Sequence, residues 1–62
     1  MRLKVGDIIT IKHYTGRDIP TGYYYLITKT RSRFRYEVIF LPDGCTTHLD
    51  KSYVAQYGVK VA

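Results

Sequence analysis

The chain has 62 residues, ten of them basic and five acidic, for a formal net charge of +5. That length holds one small domain, residues 1–62, and leaves little chain from which to build a deep substrate pocket. A single cysteine excludes an internal disulfide framework and fits a reducing compartment.

Seven Tyr, seven Thr, six Ile and five Val stand against four Leu and two Ala. β-Branched and aromatic residues suit a pleated, half-buried surface, so the composition predicts an all-β fold. No apolar run approaches the roughly 20 residues of a membrane span. The stretch Met1–Asp7 carries an early acid and lacks an apolar core of signal-peptide length, so no targeting segment is expected. A cytoplasmic location follows from these readings.

Leu3, Val5, Ile9 and Ile11 recur at even spacing, which predicts a first strand, with Gly6 marking a bend or bulge at its start. His13 to Gly22 breaks the pattern with Gly16, Pro20 and Gly22, a long turn-rich loop. Tyr23 to Thr28 is a second strand. Its core face is either Tyr24 with Leu26, or Tyr23 and Tyr25 with Ile27, and the sequence leaves both open. Thr30 to Arg33 forms a short link. Phe34 to Leu41 is a third strand, with Tyr36, Val38 and Phe40 toward the core. Leu41-Pro42-Asp43-Gly44 carries the residues of a tight turn, because Pro presets φ and Gly accepts positive φ. It should join the third strand to a fourth, Cys45 to Leu49. Asp50 to Gln56 shows no alternation and reads as one 3₁₀ turn. Gly58 ends it, and Val59 and Val61 share one face of a short last strand. The expected core is Val5, Ile9, Ile11, Leu26, Tyr36, Val38, Phe40, Leu49, Val54 and Val59. Self-association would add stability to so small a core.

That order of connections resembles a Src-homology-3-like barrel. Val5-Gly6-Asp7-Ile8-Ile9-Thr10-Ile11 is similar to the opening strand of KOW- and Tudor-type barrels. Ser52-Tyr53-Val54-Ala55 is similar to the Tyr-Val segment that closes Src-homology-3 domains. The resemblance implies a small five-stranded, partly open barrel with one 3₁₀ turn before the last strand. It also implies a ligand groove between the long loop and that turn, where Tyr14, Tyr53 and Tyr57 fall. The chain has no Trp and no Ala-Leu-Tyr-Asp-Tyr motif, so the resemblance does not extend to gripping proline-rich peptides. Small basic single-barrel proteins of this layout resemble those of bacteriophages, which implies a host-cytoplasmic or virion setting.

Lys29, Arg31, Arg33 and Arg35 alternate with Thr30, Ser32, Phe34 and Tyr36. An extended segment would put all four charges on one face, with Lys12 and Arg17 added through the long loop. Such a stripe suits a nucleic-acid backbone, with exposed tyrosines stacking on bases. The bland alternative is that these charges solvate the link and guard a strand edge.

Cys45 and His48 form a Cys-x₂-His pair, with Asp43, Asp50 and His13 as possible additions. Only three Cys and His residues exist, where a structural zinc site wants four. The odd spacing also points the pair to opposite faces of a strand. No metal and no cofactor are expected, and Cys45 reads as a small buried residue beside the turn. Glu37 is the only glutamate, so general acid–base chemistry has little to work with. Type II dihydrofolate reductases use small barrels of this kind, but their Val-Gln-Ile-Tyr stretch is replaced here by Thr46-Thr47-His48-Leu49. The chain is therefore read as a non-catalytic binding module without a small-molecule substrate or a membrane partner. Nucleic acid is the leading partner. A protein with an acidic surface, docked at the tyrosine groove or at a strand edge as host protein or virion component, is the alternative.

Overall fold

The computed structural model describes residues 3–12, 22–30 and 33–61. The long loop, including Tyr14 and Arg17, and Arg31 in the short link lie outside them. The described elements are β1 (Ile8–Ile11), β2 (Tyr24–Lys29), β3 (Arg35–Phe40), β4 (Cys45–Asp50), α1 (Lys51–Tyr57) and β5 (Gly58–Lys60). The five strands form one antiparallel sheet in the order β4-β3-β2-β1-β5. It is an open sheet, with β4 and β5 as its two edges. Among the described residues no helix is long and apolar enough to cross a membrane.

The chain enters β1 through a turn. Gly6 takes a φ of 95°, a left-handed conformation that side chains rarely tolerate. Its N–H donates to the Ile27 carbonyl at 2.9 Å, and the Ile27 N–H donates to the Asp7 carbonyl at 3.0 Å. The turn is thereby fastened to the middle of the sheet. The Asp7 carboxylate is buried, accepts the Lys4 N–H at 2.9 Å and lies 3.7 Å from Lys60 Nζ on β5. A buried carboxylate needs such partners, and here they bind the first turn to the last strand. Asp7→Ala is expected to cost about 2 kcal/mol, because it removes a buried charged acceptor together with its bond to the Lys4 N–H and its pairing with Lys60. Urea unfolding checks this, with a lowered midpoint and an unchanged slope.

Because the chain turns at Gly6, the even spacing of Leu3 and Val5 does not continue the β1 ladder. Leu3 is buried, but Val5 is exposed, contrary to the sequence expectation. Val59 is also exposed, on the edge strand β5 opposite Thr10. Leu26 and Phe40 are only partly buried. The core forms from Leu3, Ile9, Ile11, Tyr25, Ile27, Tyr36, Val38, Leu49, Tyr53 and Val54. The second strand therefore turns Tyr25 and Ile27 inward. Tyr23 rests edge-on against Phe40 at 5.5 Å, and Tyr24 points out.

The Leu41–Gly44 turn forms as expected. Gly44 has a φ of 74°, its N–H donates to the Phe40 carbonyl at 2.8 Å, and Asp43 Oδ1 accepts the Cys45 N–H at 2.9 Å. Cys45 itself is exposed, not buried, because it opens an edge strand at the rim of the sheet. Its thiol is pushed above the ordinary range, first by the Asp43 hydrogen bond and then by the Asp43 charge.

In place of a 3₁₀ turn, residues 51–57 form an α-helix. Seven residues are too few to be helical alone. Burial supports them: Tyr53 and Val54 enter the core, and Tyr57, one turn on, lies 5.0 Å from the Tyr53 ring. Burial also pushes the Tyr25 phenol above its ordinary 10.0, with a smaller push from Tyr53. The folded state therefore holds that proton more tightly than the unfolded chain. This contribution is complete below about pH 10 and is lost as pH rises through the folded-state value. Alkaline unfolding followed by circular dichroism should show this loss, and Tyr25→Phe should flatten it.

Candidate functional site

The candidate site grows from the end of the β2–β3 hairpin. Ile27 faces Val38, yet Lys29 faces Glu37, so β2 carries an irregularity between Ile27 and Lys29. Two residues of β2 advance against one of β3, which is how a bulge re-aims a side chain. Without it, Lys29 would share the inward face of Tyr25 and Ile27. With it, Lys29 turns outward beside Glu37. The Thr28 hydroxyl lies 2.8 Å from Glu37 Oε2 and 3.1 Å from the Glu37 carbonyl, holding this corner.

Of the predicted stripe, Lys29, Arg33 and Arg35 are described, and these three do not lie along one extended strand. β2 ends at Lys29, β3 begins at Arg35, and Arg33 and Phe34 lie in a bend between them. The chain reverses direction here, and a reversal breaks the alternation on which a stripe depends. Lys29 and Arg35 instead lie on adjacent strands, both turned away from the core. Lys12 is exposed but follows β1 at the opposite end of the sheet, since Thr10 pairs with Tyr24 at the start of β2. It does not join this cluster.

What the fold does bring together is the hairpin end and the start of α1. Arg33, Phe34, Arg35, Asp50, Lys51 and Ser52 line an open cleft of about 730 Å³. The Phe34 carbonyl accepts the Lys51 N–H at 2.8 Å. Lys51 Nζ donates to the Thr30 carbonyl at 3.0 Å and lies 5.1 Å from the centre of the Tyr36 ring. Arg35 pairs with Asp50 across the β3–β4 ladder, Nε to Oδ1 at 3.5 Å. Exposed ion pairs of this kind add little stability, so their main effect is positional. Three cations face one carboxylate in the cleft, and Phe34 stands among them 73% exposed. A phosphate-bearing ligand with a flat apolar face would meet both requirements of such a surface.

Of the predicted tyrosine groove, Tyr53 and Tyr57 lie among the described residues. Tyr53 is 4% exposed and belongs to the core, while Tyr57 is half-buried against it. Their rings pack on each other and on the interior. Among the described residues the exposed tyrosines are Tyr23 and Tyr24, at the far end of β2 from the cleft. The exposed aromatic ring beside the cations is Phe34, which the sequence places at the start of a strand without singling it out. Its signal was there in Arg33-Phe34-Arg35, an apolar ring between two charges at a strand boundary. Lys51 and Ser52 were unreadable as site residues, because only the β3–β4 register brings them to Phe34.

His48 faces Glu37 across the ladder, with Nε2 4.0 Å from Oε1. Among the described residues no three His, Cys, Asp or Glu side chains are grouped to hold a metal ion. Comparison with protein-family models, with curated proteins and with solved structures returned no match.

Proposed function

We propose that the chain is a non-catalytic binding module that engages nucleic acid through the cleft between the β2–β3 hairpin and α1. The element order suits a Src-homology-3-like framework, on which such a surface would be presented. The observation that carries the reading is the exposed Phe34 ring set among Arg33, Arg35 and Lys51. Cations displace the counterions condensed on a phosphate backbone, and that release supplies salt-dependent affinity. Fluorescence anisotropy of labelled oligonucleotides over a salt series tests it. Affinity should fall steeply as salt rises. Arg33→Ala should weaken binding several-fold and reduce the salt slope by about one. Binding that ignores salt, or its absence at low salt, would refute the reading.

A second reading rests on β4. It is a six-residue edge strand with no Lys, Arg or Pro among Cys45–Asp50. Such an edge offers unpaired backbone groups to an extended segment of a protein partner. A partner retained from a lysate after nuclease treatment, and lost when Thr47 is replaced by proline, would favour it over nucleic acid.

A further inference from the structure

Resting on the nucleic-acid reading, we infer that the cleft takes an unpaired base, stacked on Phe34, with adjoining phosphate held by Arg33 and Lys51. The protein then prefers single strands to duplexes.

Phe34 is the most exposed of the large apolar side chains among the described residues. Its ring carries no hydrogen-bonding group and offers an apolar, flat face suited to stacking. Every base has such a face, but in a duplex that face is covered by stacked neighbours and only the edges are open. An unpaired base presents it, and stacking of this kind is tolerant of sequence. The neighbouring guanidinium groups suit the same ligand, since Arg can both pair with phosphate and lie flat against a base.

The volume of the cleft points the same way. At about 730 Å³ it lies within the range of pockets that take one small organic molecule. That is room for a nucleotide unit. Asp50 lines the same cleft, and its carboxylate opposes a run of several phosphates there. Arg35, 3.5 Å away, offsets part of that charge. The pocket is therefore suited to one base and its adjoining phosphate, not to a long track of backbone.

The platform is also held in advance of binding. The Phe34 carbonyl and the Lys51 N–H are joined at 2.8 Å, and Lys51 Nζ reaches the Thr30 carbonyl at 3.0 Å. Ring and cation thus sit on two segments tied to each other by the backbone hydrogen bond. Less ordering is required when the ligand arrives, which favours affinity.

The test measures binding of a short mixed-sequence single strand and of the same strand annealed to its complement. The proteins are the native chain, Phe34→Leu, Phe34→Tyr and Arg33→Ala. Phe34 is exposed, so its variants should keep the native thermal midpoint, and that is checked first. The native chain should bind the single strand about tenfold more tightly than the duplex. Phe34→Leu should lose about that factor on the single strand alone, with the salt slope unchanged, and Phe34→Tyr should restore it. A 2-aminopurine base in the strand should be quenched by the native chain and not by Phe34→Leu. Equal affinity for both forms, with Phe34→Leu silent and Arg33→Ala still weakening binding, would overturn the stacking inference and leave the basic-surface reading standing. No salt-dependent binding of either form would overturn both.

Discussion

Replacing Ile27 by alanine is expected to remove about half of the protein's stability at 25 °C. Ile27 is fully buried in the central strand β2, among Ile9, Ile11, Val38 and Val54 in the core. Truncating a buried Ile to Ala typically costs about 2–5 kcal/mol, from lost transfer energy and the cavity left behind. A chain of this length has only roughly 3–9 kcal/mol of stability to lose. The backbone of Ile27 also holds the Gly6–Asp7 turn through two hydrogen bonds. Loosening this residue therefore loosens the entry to β1. Circular dichroism and urea titration would measure the loss. A midpoint within experimental error of the native value would mean that the core is not centred on β2.

Gly58→Ala is the second large effect, and its cause is space. Gly58 has a φ of −83°, which any residue adopts readily. A Cβ there would lie 2.6 Å from the Val54 carbonyl oxygen and 2.9 Å from Val54 Cγ1. The first neighbour is backbone, and the second is a fully buried side chain that cannot swing away. The Gly58 N–H also donates to the Val54 carbonyl, so the two segments are already drawn together. Relief would require α1 or β5 to move, and overpacking of this kind costs about 1–3 kcal/mol. Since Gly58 faces Ile11 across the sheet, the displacement would reach the β1–β5 ladder. A lowered thermal midpoint and faster amide exchange at Val59 and Lys60 are expected. Retention of both values would show that α1 and β5 pack less closely than described.

Local signals made much of this fold readable. The Leu41–Gly44 turn announces itself through Pro42 and Gly44, and the β3 alternation of Tyr36 and Val38 sets its inner face. Strand order along the chain follows from those breaks. The rest depends on long-range contacts. Three consecutive tyrosines, Tyr23 to Tyr25, satisfy either face of a strand equally well, and only pairing with β1 and β3 decides between them. The bulge before Lys29 has no Gly or Pro to mark it. The α1 segment is too short to show helical period, and its burial against the core is what forms it. Val5 and Val59 keep the right spacing, but the turn at Gly6 and the edge position of β5 leave them exposed.

The site divides along the same line. Composition showed that cations and aromatic rings are plentiful, and Lys29, Arg33 and Arg35 were visible as a group. Which ring accompanies them was not, because burial decides it. Tyr53 fills a core with little Leu to spare, while Phe34 is left outside by the bend that follows β2. Lys51 reaches the group only through the pairing of Arg35 with Asp50. Charge was legible locally, and its juxtaposition with an exposed ring was not.

The most direct measurement is an amide chemical-shift titration of the isotope-labelled protein with a short single-stranded oligonucleotide at low salt. The shifts should concentrate on Arg33, Phe34, Arg35, Lys51 and Ser52, and should fade together as salt is raised. Shifts confined to the β4 edge or to Tyr23 and Tyr24, or no shifts at all, would contradict the assignment of nucleic-acid binding to this cleft.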